Sequence, residues 1–204
     1  MTFDELEELH YITPIENMEL ILTRGILSHS LAEKLHHTTV AKQEVQEKRK
    51  KVVVPSGRPL HKYANLYFHA RNPMMFQIKS RHPDMHREIC TVRISKTILN
   101  GVGVVIADRN ASSGYVRWAA APDGLKLIDK ELVFSRYWNH PDPIEKDRHT
   151  SIKCAEVLVP DKVPRDFIVG AYVSCEGSKI RLCDIIKEIK PDFPITVNPD
   201  LFFQ

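Results

Sequence analysis

The chain has 204 residues, 43% hydrophobic and 27% charged, with a formal net charge of +3, which excludes a disordered tail and suits one domain with its own core. No apolar run approaches the ~20 residues of a membrane-spanning helix, and the acidic stretch 1–8 is unlike a signal or transit peptide. Cys90, Cys154, Cys175 and Cys183 lack Cys-x-x-Cys spacing, which argues against a zinc ribbon or disulfide scaffold and for a reducing cytoplasm.

The 13 prolines are spread as punctuation and no linker divides the chain, so residues 1–204 read as a single domain. In chain order, His10-Tyr11-Ile12 alternates like a strand into Thr13-Pro14-Ile15-Glu16. There Thr13 is set to accept from the N–H of Glu16, and Pro14 sits where no donor is needed. Ile15, Met18, Ile21 and Leu22 then recur at helical spacing until Arg24-Gly25. A second helix is expected over 31–51, with Glu44–Lys48 and Glu47–Lys51 as i,i+4 pairs. Lys42, Lys48, Arg49, Lys50, Lys51, Arg58 and Lys62 outnumber Glu44 and Glu47 there, which predicts a basic patch.

Beyond it the pattern predicts a strand at 66–68, a helix opened by Asn72-Pro73, and strands at 88–94 and 102–107. A loop at 112–124, a helix within 129–138, strands at 152–159 and 167–173, a helix over 180–189 and a last strand at 195–197 complete the reading. Helices come first and strands later without βαβ alternation, so the class is α+β.

Several chemistries lack their motifs. Gly101-Val102-Gly103 has Ile106 where a dinucleotide fingerprint needs glycine, and no phosphate loop, His-Glu-x-x-His or Gly-x-Ser-x-Gly occurs. His82 and His86 have two-ligand spacing, but Pro83 spoils a helix and no third ligand follows, so no metal is expected. Glu156 stands out, because on a 152–159 strand both faces are apolar and the carboxylate is buried. It is either functional or paired with Lys153, Arg148 or a helix end. His10 reads as structural or functional. The stretch Tyr67-Phe68-His69-Ala70-Arg71-Asn72-Pro73-Met74-Met75-Phe76 reads as core, with Arg71 able to face a cleft.

In order along the chain, these segments resemble the DarT family of NAD-dependent DNA ADP-ribosyltransferases, toxins of bacterial toxin–antitoxin modules. The resemblance is carried by 10–18 with Gly25, by Val45-Gln46-Glu47-Lys48-Arg49, and by Leu60-His61-Lys62-Tyr63 leading into 67–76. Asp108-Arg109-Asn110-Ala111 and Lys153-Cys154-Ala155-Glu156-Val157-Leu158-Val159 complete it. Met18 and His69-Ala70 depart from the family pattern, and the 112–124 loop matches no subgroup.

The resemblance implies an ADP-ribosyltransferase fold: two packed twisted β-sheets, flanking helices and a cleft for NAD, which is consumed as a substrate. By position Glu156 and Arg49 would be catalytic, His10 and Tyr67 would line the nicotinamide end, and Thr13, Asn17, Met74 and Asn110 would lie in the same pocket. The acceptor it implies is a thymine ring nitrogen of single-stranded DNA, whose phosphates Lys48, Lys50, Lys51 and Arg58 would track. It also implies a macrodomain antitoxin partner for a monomer without membrane attachment, in the bacterial cytoplasm. An RNA-directed relative resembling NAD-dependent 2′-phosphotransferases, or a non-catalytic single-strand-binding module, are the alternatives. On this reading Glu156→Ala abolishes transfer and leaves the fold intact.

Overall fold

The computed structural model describes residues 1–40 and 42–204. Strand β1 (Glu8–Pro14) leads through a 3-10 turn into α1 (Met18–Arg24), then β2 (Ile26–Leu27) and α2 (His29–Ala32). The capping box does not form: Thr13 is still in β1, and its Oγ1 accepts from Asn17 Nδ2 at 3.2 Å. Gly25 closes α1 at a φ of +85°, with its N–H donating to the Ile21 carbonyl at 2.8 Å. A side chain there would strike the Val163 carbonyl, so the tight exit into β2 needs glycine.

The helix expected over 31–51 is instead two pieces, α2 and α3 (Gln43–Lys50), and Ala41 lies outside the described residues. Among the described residues between them no hydrophobic side chain is buried, and so nothing there rewards helix formation. Next come β3 (Tyr63–Tyr67) and α4 (Pro73–Arg81), whose Asn72 cap accepts from the Met75 N–H at 3.1 Å as the sequence leads one to expect. Strands β4 (Ile89–Ser95), β5 (Val105–Ala107) and β6 (Trp118–Ala120) follow, the last inside the stretch read as loop.

After α5 (Lys130–Phe134) the largest correction appears. Residues 152 and 153 are not strand but the end of α6 (Pro143–Lys153), and β7 (Glu156–Pro160) begins only at the glutamate. The signal was Asp142-Pro143, since Asp142 Oδ1 caps the helix by accepting from the Ile144 N–H at 2.7 Å with proline in the first turn. The chain ends with β8 (Lys162–Val163), β9 (Ile168–Val173), α7 (Glu176–Ile186) and β10 (Ile195–Val197).

The architecture is α+β. Eight strands run in the order β10-β9-β4-β1-β3-β7-β5-β6, and β2 pairs separately with β8. β1 matches β4 over seven residue pairs from Glu8↔Ser95 to Pro14↔Ile89, and β3 matches β7 over five, but β1 meets β3 only at His10↔Tyr67. The eight strands therefore form one sheet of two four-stranded halves joined at a single residue pair. The main core, with Leu9, Leu66, Val92, Ile94, Ile106 and Val157, fills one side. Among the described residues no helix is long and apolar enough to cross a membrane.

Candidate active site

Period-two alternation decides which side chains reach the cleft between the two halves of the sheet. On β3, Tyr63, Asn65 and Tyr67 line a cavity while Ala64 and Leu66 enter the core. β7 lies antiparallel beside β3 with Glu156 opposite Tyr67, so Glu156 and Leu158 take the cavity side and Val157 and Val159 the core. The cavity has about 670 Å³, within the range of small-molecule sites. Its walls come from α3 and the Thr38–Val40 stretch, from α4, and from the loop around Asn110 with α6.

Glu156 has no exposed surface and lies behind this wall. Arg49 Nη1 donates to its Oε1 and Nη2 to its Oε2, each at 2.9 Å, and the Ala111 backbone N–H donates to Oε1 at 2.9 Å. This fork on a carboxylate is the strong geometry for a buried pair. Burial opposes the charge on Arg49, but attraction and hydrogen bonding from Glu156 leave its pKa raised. Arg49 is therefore a fixed cation and no proton acceptor. The pairings open to Glu156 in sequence resolve onto a residue 107 positions away, while Arg148 pairs with Glu145 at 3.0 Å and Lys153 turns to the other side of α6.

Tyr67 reaches the cavity beside this pair. Its hydroxyl donates to Met74 Sδ at 3.1 Å, and burial, followed by the Glu156 charge, raises its pKa well above the usual value, so it stays a neutral phenol. Thr13, Asn17, Met74 and Asn110 all line the same cavity. Asn17 ties the Thr38 stretch down, donating from Nδ2 to the Thr38 carbonyl at 2.7 Å and accepting from its N–H at 3.1 Å. Asn110 accepts from the Ser112 N–H at 2.9 Å and hydroxyl at 2.7 Å. His10 is not on the wall. Its Nδ1 lies 3.3 Å from the Phe68 carbonyl oxygen and its Nε2 3.3 Å from Glu8.

The basic residues divide. Lys48 borders the cavity, whereas Lys50 and Lys51 are exposed beyond it. Arg58 is ion-paired with Asp161 and sits over the Tyr63 ring at a separate shallow depression. His82 lines the cavity but His86 bonds Ser174 at 2.9 Å, and no group of three or more metal-ligating side chains exists among the described residues.

Sequence reasoning missed the Ala111 donor, which is main chain and has no residue signature. It also missed the clamp that sets it. Asp108, only 2% exposed, accepts from the Arg117 N–H at 2.9 Å, Arg117 Nε at 2.7 Å and Arg109 Nε at 3.1 Å. Burial would raise the Asp108 pKa, but the hydrogen bonds from Arg109 and Arg117 bring it below its ordinary value. A buried acid between two arginines fixes the loop that delivers Ala111.

Residues 10–203 match the family model described as "ssDNA thymidine ADP-ribosyltransferase, DarT". A DNA ADP-ribosyl transferase–DNA ADP-ribosyl glycohydrolase fusion protein of Thermosipho africanus is 30% identical over 208 residues, covering 98% of this chain and 50% of the relative. The chain thus spans about half the length of that protein. A DNA ADP-ribosyl transferase of Thermus sp. is 27% identical over 88% of each chain. Among solved structures, Thermosipho africanus DarTG in complex with ADP-ribose superposes with a TM-score of 0.84 at 28% identity, covering 97% of this chain and 51% of that one. Thermus sp. 2.9 DarT in complex with ADP-ribosylated ssDNA has the same fold, at TM-score 0.84, 24% identity and 99% of both chains. With a family match over nearly its whole length, the chain belongs to the DarT family of single-stranded-DNA thymidine ADP-ribosyltransferases.

Proposed function

We propose that this chain moves ADP-ribose from NAD onto a thymine ring nitrogen of single-stranded DNA, releasing nicotinamide. The observation that carries the reading is the Glu156–Arg49 pair, a buried carboxylate on a rigid strand with its cation at the wall of a nucleotide-sized cavity. In the transfer, the bond from ribose C1′ to nicotinamide breaks, and nicotinamide leaves with the electron pair. A bond forms from C1′ to the thymine nitrogen, and the imide proton passes to solvent.

Positive charge develops on the ribose as the bond breaks, so a carboxylate bonded to its 2′-hydroxyl strengthens its grip in the transition state. Glu156 has that role. Three of its roughly four acceptor positions are filled, leaving one on Oε2. Arg49 covers it, so a ribose hydroxyl reaches Glu156 as Arg49 swings aside. The freed guanidinium then stabilises the deprotonated imide, as a cation too basic to take the proton itself.

Tyr67 offers its ring to nicotinamide, with His10 supporting that end from behind through the Phe68 carbonyl. Thr13, Asn17, Met74 and Asn110 shape the pocket, and Lys48, ahead of Lys50, Lys51 and Arg58, meets DNA phosphate. A macrodomain glycohydrolase that removes the adduct is the partner suggested by the fusion in the Thermosipho relative. A monomeric toxin in the bacterial cytoplasm fits the same reading.

Incubation with NAD and short oligonucleotides of each base composition, followed by mass spectrometry, tests it. The expected result is one ADP-ribose on thymine-containing DNA only. Phosphate removed from RNA, or no NAD consumed, would overturn it.

A further inference from the structure

Resting on the transferase reading, a second surface bears on how the DNA is held. Helix α4 turns Met74 and Gln77 into the cavity and Phe76 away from it, and α6 turns Asp147, Thr150 and Ser151 into the cavity. Away from the cavity, Phe76 meets two residues outside the helices, Trp138 from the stretch between α5 and α6 and Phe203 near the chain's end, in an aromatic cluster. Phe76 stands edge-on to Trp138 at 6.0 Å and 87° and to Phe203 at 5.3 Å and 68°, and Trp138 meets Phe203 at 5.9 Å and 80°. A cluster of this kind is ordinarily core, yet Phe76 is 46% and neighbouring Tyr137 72% exposed. Phe203 holds its ring there at a φ of +61°, a backbone state that a bulky residue adopts only when its surroundings impose it.

The cluster is also cationic. The Arg71 guanidinium lies 3.9 Å from the Phe203 ring centre, and Arg136 lies 5.9 Å from that of Tyr137. Both arginines share one carboxylate, Asp200, at 3.6 Å from Arg71 and 2.8 Å from Arg136, so the patch keeps excess positive charge. Arg71 is buried, and its Nε has no hydrogen-bond partner. Aromatic faces beside cations, with no order of bases encoded, are what a flexible single strand recognises.

We propose that Phe76 and Trp138, flanked by Arg136 and Arg71, form a stacking surface for nucleotides next to the target thymine, joined to the cavity through α4. The surface positions the strand and takes no part in bond breaking.

Trp118→Phe leaves Trp138 as the lone tryptophan. In that background, without NAD, an oligonucleotide of one thymidine flanked by deoxyadenosines is expected to quench the fluorescence saturably, and thymidine monophosphate is not. Trp138→Ala should raise KM for that oligonucleotide roughly tenfold, with kcat and NAD affinity unchanged, and Trp138→Phe should restore most of the loss. Phe76→Ala, on a different element, should raise KM in the same sense. Absent quenching, or KM unchanged in both alanine variants, overturns the surface while leaving the transferase reading standing. That reading fails separately, if the parent chain forms no adduct.

Discussion

Helices α3 and α6 each bury a cation in their last turn, a position the helix dipole favours. Arg49 is the buried residue of an otherwise exposed or half-buried α3 and is met by a carboxylate in two parallel bonds. Lys153, only 1% exposed, has no such partner: Nζ donates to the Val133 carbonyl at 2.7 Å and lies 2.9 Å from His69 Nδ1. Burial pushes Lys153 down to about 7 and His69, helped by the Lys153 charge, down to about 3. Burial therefore leaves the more basic, carboxylate-paired guanidinium a permanent cation and the unpaired ammonium poised near neutrality, and the partner adds to that difference. It also decides anchorage. Helix α6 is held by Ile152 and His149 as well, whereas α3 is held to the sheet through its ion pair.

Breaking that ion pair is expected to give the largest effect. Glu156→Gln should lower transfer by a factor of roughly 10³, measured as turnover at saturating NAD and DNA. Glu156→Ala should in addition cost about 3 kcal/mol in urea unfolding, because Arg49 is left buried without its counter-charge. The amides of residues 43–50 should then exchange faster than those of α6. This replaces the expectation that the alanine variant leaves the fold untouched. Arg49→Lys should come next. A single ammonium loses the two-pronged alignment, so turnover falls by orders of magnitude while DNA affinity changes little.

The Lys153 side of the comparison is sharpened by pH. The unfolded chain holds the lysine proton up to its ordinary 10.5 and the folded chain releases it at about 7, so stability rises with pH between those values. His69 adds a loss of stability as pH falls from 6.5 toward 3. Lys153→Met should flatten the alkaline rise in thermal midpoint, and His69→Gln the acid fall, with no such change from Arg49→Lys. Smallest is the effect of Lys50 and Lys51 replaced together by alanine. Both lie beyond the cavity, so the salt slope of DNA binding should shrink by about two charges, with base preference unchanged.

The contrast between these two cations also marks what sequence carries. Glu156 was legible as a buried acid because Val157, Leu158 and Val159 around it are apolar whichever strand register holds. Its partner was not, since no local pattern links residues 107 positions apart; only resemblance brought Arg49 forward. Caps read well where a side chain meets its own backbone, as at Asn72, and badly where tertiary contacts compete, as at Thr13. Lys153 was misplaced onto a strand because the apolar residues among 152–159 hide the helix end that the Asp142-Pro143 cap implies.

The lone His10↔Tyr67 junction has a consequence for how such a chain can change over time. Where β1 and β3 part, each turns an edge toward the cleft, and Ile12, Thr13, Tyr63 and Asn65 on those edges all border the cavity. An open strand edge presents amide and carbonyl groups, and every residue except proline supplies both. A ligand held partly by such edges is indifferent to much of the side-chain identity around it. Such a cleft accepts substitution along its edges and keeps its backbone donors and acceptors in place, provided the few residues whose chemistry is irreplaceable stay where the two halves of the sheet divide.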